Sequence, residues 1–216
     1  MRLRSALLIL AMAVTSTGVA ATPANAATDV PTISAPASTA GYQTVAITGT
    51  ATPGATVELY ESAYQFHALA PALYWQDGSN APITTTAAAN GTYRMTRWVD
   101  TGFEFAVVVD GVMSRTVVVR NRVVPALTVT SGRAGTLTAK IVETPAQPWL
   151  AVQVQRRNTD GTWSVVNRGY TLEHGVYAVT IKQPARRTYT YRAWIGGDTT
   201  SGLLAAYSTA HTVKIK

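Results

Sequence analysis

From Val45 to the end of the chain, valine, threonine and tyrosine recur in short runs that alternate apolar with polar residues. Successive side chains of an extended strand point to opposite faces, so each such run buries one face and wets the other. No stretch after the N-terminus repeats apolar residues at helical spacing. The chain is therefore expected to be all-β, with dry strand faces covered by a second layer. Val57 and Leu59 oppose Thr56, Glu58 and Tyr60, while Leu137, Ala139 and Ile141 oppose Thr136, Thr138 and Lys140. Thr52-Pro53-Gly54-Ala55, Asn90-Gly91, Asp110-Gly111 and Asp160-Gly161 supply the residues that reverse a strand cheaply. The expected core is Val45, Ile47, Val57, Leu59, Tyr93, Phe103, Phe105 and Val107, then Leu137, Ile141, Val152, Val154, Tyr177, Val179, Tyr191 and Ile215.

The two halves repeat each other. Gly91-Thr-Tyr93-Arg-Met95-Thr matches Gly175-Val-Tyr177-Ala-Val179-Thr, and Phe103-Glu-Phe105-Ala matches Tyr189-Thr-Tyr191-Arg. A period of about 90 residues with roughly seven short strands is the size of one immunoglobulin-like domain. The stretch Ile47-Thr-Gly-Thr-Ala-Thr-Pro-Gly-Ala-Thr-Val57-Glu-Leu resembles the opening of bacterial immunoglobulin-like domains. The second half resembles another bacterial immunoglobulin or fibronectin type III variety through Val152-Gln-Val-Gln-Arg-Arg157, Asp160-Gly-Thr-Trp163 and Tyr189-Thr-Tyr-Arg-Ala193. The resemblance implies two tandem immunoglobulin-like β-sandwich domains with extracellular spacer, adhesion or presentation roles and no shared catalytic residues. It also implies that Tyr189 or Tyr191 plays the tyrosine-corner part.

The N-terminus reads as an address. Arg2 and Arg4 precede the apolar run Ala6 to Val14, and small residues lead to Ala24-Asn25-Ala26, the pattern of a cleaved secretory signal peptide spanning 1–26. The expected organisation is then 27–121 for the first domain and 122–216 for the second, in a secreted chain without a transmembrane segment. The absence of cysteine excludes disulfides, thiolate metal sites and cysteine nucleophiles. Charge is split between the halves. Residues 27–121 carry four basic and seven acidic groups (4 − 7 = −3), and residues 122–216 carry twelve and four (12 − 4 = +8).

Catalytic parts are few. His67, His174 and His211 stand in separate segments without zinc spacing, and no Gly-x-Ser-x-Gly elbow occurs. Glu58 with Glu61, and Asp100 with Glu104, are the nearest carboxylate pairs a glycosidase would use, but a mid-strand wet face is the ordinary place of a solvated charge. Asp77-Gly-Ser-Asn80 has the oxygen donors of a calcium loop without its closing acid, and reads as a turn. No enzyme activity, cofactor or metal is expected.

One segment departs from sandwich chemistry. Residues 64–80 form an insertion in which Tyr64, Phe66, Tyr74 and Trp75 crowd beside His67. Aromatic faces stack on sugar C–H surfaces, which suits a binding loop. The same rings would also serve to close an open end of the sandwich or to pack on the second domain. Trp98 and Trp194 are expected outside the core, each with a neighbouring arginine able to stack on it. Arg156, Arg157, Arg186 and Arg187 are expected to draw an anionic partner and to assist the insertion. The partners anticipated are cell-wall or extracellular polysaccharide, or another surface protein, and not nucleic acid. The expected role is a non-enzymatic binding, adhesion or spacer module; a small carbohydrate-active enzyme and a partner or inhibitor subunit are the alternatives.

Overall fold

A computed structural model describes residues 30–74, 80–132, 135–183 and 185–215. The expected signal peptide, Trp75 and most of the Asp77–Asn80 stretch expected to turn lie outside the described residues. The first group of strands is β1 (Ser38–Ala40), β2 (Gln43–Thr50), β3 (Thr56–Ala63), β4 (Ala70–Pro71), β5 (Thr84–Thr86), β6 (Thr92–Val99), β7 (Phe103–Val109), β8 (Val112–Met113) and β9 (Val117–Arg122). The second is β10 (Val124–Ser131), β11 (Thr136–Thr144), β12 (Ala151–Arg157), β13 (Trp163–Tyr170), β14 (Val176–Lys182), β15 (Thr188–Ile195), β16 (Leu203–Leu204), β17 (Ala206–Tyr207) and β18 (His211–Lys214). Among the described residues the one helical element is a 3₁₀ turn at Glu173–Gly175.

The β2–β6 pair faces a sheet ordered β1-β9-β7-β3-β4, in which β1 runs parallel to β9. A B–E pair opposite a G–F–C sheet is the immunoglobulin arrangement. The second group repeats it, with β10-β11-β14 facing β13-β12-β15 and the final strands β17 and β18 on β15. Two apolar clusters result, one drawn from Ile33 to Val119 and the other from Val123 to Ile215.

Alternation fills both clusters. Ile47, Val57, Leu59, Phe105 and Val107 are fully buried in the first, and Leu137, Ile141, Val154 and Tyr191 in the second. Phe103, Tyr177 and Val179, expected in the core, are half-buried. Phe103 opens β7 at the sandwich edge, where its ring stacks on Phe105 at 5.7 Å. Tyr177 and Val179 lie on β14, which pairs only with β11 and so borders solvent. The Tyr177 ring lies on Gly169 of β13 and its hydroxyl donates to the Arg168 carbonyl at 3.2 Å, bridging the two sheets where no strand does. Any side chain at 169 would strike that ring, since a Cβ would sit 2.3 Å from it.

Tyr189 takes the tyrosine-corner role, because its hydroxyl donates to the Ala185 carbonyl at 3.0 Å, four residues upstream. The Tyr191 hydroxyl is buried without a partner among the described residues. At Asp160-Gly161 the carboxylate accepts from the Thr162 amide at 2.9 Å and its hydroxyl at 2.7 Å. These bonds hold the Asp160 carboxyl below its ordinary range, the hydroxyl bond most of all.

The groups meet without spare chain. Only Val123, fully buried, separates β9 from β10, and its amide donates to the Leu204 carbonyl at 3.1 Å. β16 joins the first sheet, parallel to β9, with Leu203 opposite Asn121. Gly102 donates to Ser201 at 2.9 Å, and the Ala146 amide donates to the Tyr42 hydroxyl at 3.2 Å. Gly102 and Gly202 face each other so closely that a Cβ on Gly102 would lie 2.8 Å from the Gly202 Cα.

Candidate functional site

The insertion is pinned at three points. Its chain turns back along β3, so that Pro71 pairs with Tyr60 and Ala70 with Glu61. Tyr64 leans against Gly202 of the second sandwich, where a Cβ would meet its ring at 3.2 Å, and the Arg120 guanidinium lies over the ring, its Cζ 5.9 Å from the centre. His67 adopts a positive φ of 49° and its Nδ1 lies 2.8 Å from Glu104 Oε1. The Tyr64 and His67 rings meet edge to face at 5.0 Å. Tyr64 is therefore an interface residue and His67 a clasp; neither is a free platform. Between them Phe66 is 67% exposed.

Phe66 borders a half-open cleft of about 530 Å³ bounded by the end of β3, the end of β6 and the insertion. Its walls are mainly apolar: Phe66, Pro71, Leu73, Trp98 and Phe103. Trp98 is 43% exposed and stacks on Tyr42 at 5.3 Å with planes 13° apart, which fixes its orientation. At the floor, Arg97 grips Glu61 with two parallel bonds, Nε to Oε2 at 2.6 Å and Nη2 to Oε1 at 2.5 Å. Both carboxylate oxygens are occupied, and Arg97 also reaches the Leu73 carbonyl. Such a fork-to-fork pair is rigid and ties β6 to β3 across the sandwich edge. Asp100 supplies a further polar group at the rim.

The remaining site residues fall elsewhere. Tyr74 lines a separate polar hollow of about 350 Å³ with Thr84, Arg94 and Thr96. Arg156, Arg157, Arg186 and Arg187 gather at the opposite end of the second sandwich from the joint. β12 runs from Ala151, bonded to Gly196 near the joint, to Arg157, a span of ~20 Å at ~3.3 Å per residue. The insertion and the four arginines are thus two regions and not one surface.

Trp98 and Trp194 lie on different sheets, on β6 and β15. Among the described residues, neither indole carries a stacked arginine. Arg192 instead sits between Trp163 at 4.4 Å and Tyr207 at 4.0 Å, with its Nε donating to Gln155 at 2.8 Å. β15 places Arg192 beside Gln155, with Tyr207 brought by the adjacent β17 and Trp163 by β13 on the far side of β12. Sequence reasoning named Glu61 and Trp98 without joining them. The register that sets Arg97 opposite Val45, and the backbone path that brings β6 against Glu61, have no local signature.

Among the described residues, no three His, Cys, Asp or Glu side chains converge as metal ligands, and no helix is long and apolar enough to cross a membrane. The chain matches no protein-family model, and no curated protein matches it in sequence. Solved structures similar to it include a tetra-tandem repeat from the extending region of a large adhesion protein, at 16% identity and TM-score 0.42, covering 86% of this chain and 49% of that one. A cytokine receptor complex is similar at 12% identity and TM-score 0.41, covering 84% and 95%. The D0–D1 domain of intimin is similar at 11% identity and TM-score 0.30, covering 87% and 98%. The chain spans about half the length of the adhesion repeat it matches.

Proposed function

We propose that the chain is an exported, non-enzymatic binding module that holds an extracellular polysaccharide in the cleft between the insertion and β6. The observation that carries this reading is the pairing of two solvent-facing rings, Phe66 and the Trp98 ring stacked on Tyr42, with a carboxylate already saturated by Arg97. Rings at the mouth of a cleft of this size stack on the C–H faces of sugars, while Asp100 and backbone groups meet hydroxyls at the edge. Glycoside cleavage needs one carboxyl to give a proton and a second to act as base or nucleophile. Glu61, doubly held by a guanidinium, is poorly suited to either part. The joint, one residue long and crossed by the β9–β16 pairing, supports the module as a stiff two-domain unit that keeps the cleft at a fixed angle.

The test is co-sedimentation of the purified protein with insoluble cell wall and a panel of neutral polysaccharides. Phe66→Ala with Trp98→Ala should reduce retention at least tenfold with little change in melting temperature, since both rings are substantially exposed. Unchanged retention would overturn the cleft as the site. Release of reducing ends from any polymer would overturn the non-enzymatic part.

A second reading, a docking subunit for another protein, is favoured by a separate feature. Trp149, 71% exposed at a positive φ of 67°, stands beside exposed Tyr170 and Leu172, fixed by its amide's bond to the Thr171 carbonyl at 2.8 Å.

A further inference from the structure

We infer that the far end of the second sandwich is an anion-binding site for a linear polyanionic polysaccharide, separate from the cleft. The argument begins with Arg156. Strand alternation places it on the inward face of β12, continuing Val152 and Val154, and directly opposite buried Tyr191. A guanidinium at the edge of an apolar core normally has a carboxylate partner, because withdrawing a charge from water without one is costly. Arg156 has instead the amide oxygen of Gln183, at 3.3 Å, and the ring of Tyr189, 5.4 Å from its Cζ.

Arg187 converges on the same ring at 4.9 Å. Two guanidiniums thus share one tyrosine, and Arg157 and Arg186 stand exposed beside them in the chain. The two ion pairs among the described residues, His67–Glu104 and Arg97–Glu61, both belong to the first sandwich. Of the second sandwich's four acids, Glu143 and Asp198 lie toward the joint and Glu173 in the 3₁₀ turn beside Glu143. Asp160 alone shares the far end, and its Oδ1 is engaged by Thr162. The positive charge is therefore concentrated, with Asp160 the one acid at that end and no ion pair to these arginines among the described residues. The ring faces and Gln183 hold Arg156 and Arg187 in place before any ligand arrives, which lowers the ordering cost of binding.

The surroundings select the class of ligand. Single-stranded nucleic acid is gripped by exposed aromatic rings between basic residues, but Tyr189 is only 4% exposed and is covered by the two arginines. A bilayer surface is gripped by exposed apolar side chains beside the charges. The exposed large apolar side chains of this sandwich, Val124, Val142, Trp149, Tyr170, Leu172 and Tyr207, lie toward the joint. What remains is a polymer read through regularly spaced carboxylate or sulfate groups, the form in which an exported protein meets dense negative charge.

The experiment passes the purified protein over immobilised heparin, as a sulfated probe, and polygalacturonate, as a carboxylated one, at 0.05 M salt. Anionic phosphatidylglycerol vesicles and poly(dT) are run in parallel. Retention on either polysaccharide, lost at 0.5 M salt as screening tightens, is the expected result. Arg156→Gln with Arg187→Gln should weaken it at least tenfold. Arg186→Gln with Arg187→Gln, both at exposed positions, should weaken it at least fivefold and guards against a folding defect at Arg156. Phe66→Ala with Trp98→Ala should leave it unchanged, so failure of the cleft and failure of this site are told apart. An equal loss from Lys140→Gln with Arg168→Gln would reduce the effect to net charge and overturn the site. No retention, or tighter binding to vesicles or poly(dT), would overturn the proposal.

Discussion

Replacing Glu143 by glutamine should remove a pH dependence built into the second sandwich. Glu143 lies at the end of β11, opposite Pro125, and is 2% exposed. Its Oε1 accepts from the Gln147 amide at 3.1 Å, while Oε2 is buried without a hydrogen-bond partner among the described residues. Gly175, at a φ of +63°, closes over it so tightly that a Cβ there would lie 2.7 Å from the Glu143 Cγ. Burial pushes the carboxyl from 4.5 up to about 7, against the opposing pull of the Gln147 amide and the Thr171 hydroxyl. In the unfolded chain the group ionises near its ordinary value. Between those limits the native state binds more protons than the unfolded state, so stability falls as pH rises from about 4.5 to about 7 and levels off above. The gap of about 2.5 pH units (7 − 4.5), at ~1.4 kcal/mol per unit, corresponds to ~3 kcal/mol. At ~2–4 °C per kcal/mol for a chain of this size, that is of order 10 °C in melting temperature. Differential scanning calorimetry at pH 5, 6, 7 and 8 on the wild type and the Glu143→Gln variant measures it. The wild type should lose about that much more than the variant across the series. Parallel curves would refute the reasoning, since they would mean that Glu143 ionises alike in both states.

Phe105→Ala, which empties a fully buried site in the first core, should cost ~3–5 kcal/mol in denaturant unfolding. Gly102→Ala would set a Cβ 2.7 Å from the Ser201 carbonyl oxygen. Limited trypsin digestion should then cut faster at Arg120 and Arg122 while each sandwich keeps its strand signature in circular dichroism. Arg97→Ala would leave the Glu61 carboxylate, whose side chain is 12% exposed, without its partner. It should cost ~2–4 kcal/mol, and Glu61→Gln with Arg97→Gln should recover part of that loss in a double-mutant cycle.

Much of the fold was legible because strand alternation is a local property. Val57 and Leu59 had to share a face whatever lay opposite, and the Asp160-Gly161 turn follows from one carboxylate and one glycine at a positive φ of 87°. The half-buried Tyr177 and Val179 show the limit of that logic. Alternation names the inward face of β14 but cannot say that β14 borders solvent, because being an edge strand is a property of the whole sheet.

For the candidate site the balance reverses. The sequence by itself determined two layered β-sandwich cores, the aromatic character of residues 64–74 and the excess of arginine in the second half. Only the tertiary structure decided that Tyr64 is spent on the joint, that Phe66 and Trp98 face one cleft, and that Glu61 is bound by Arg97. It also set the four arginines at the far end of the second sandwich, roughly a strand length from the joint. The physical reason is range. Face alternation and turn chemistry act over a few residues, whereas Glu61 and Arg97, 36 positions apart, meet only after two sheets have packed and fixed which strand ends adjoin.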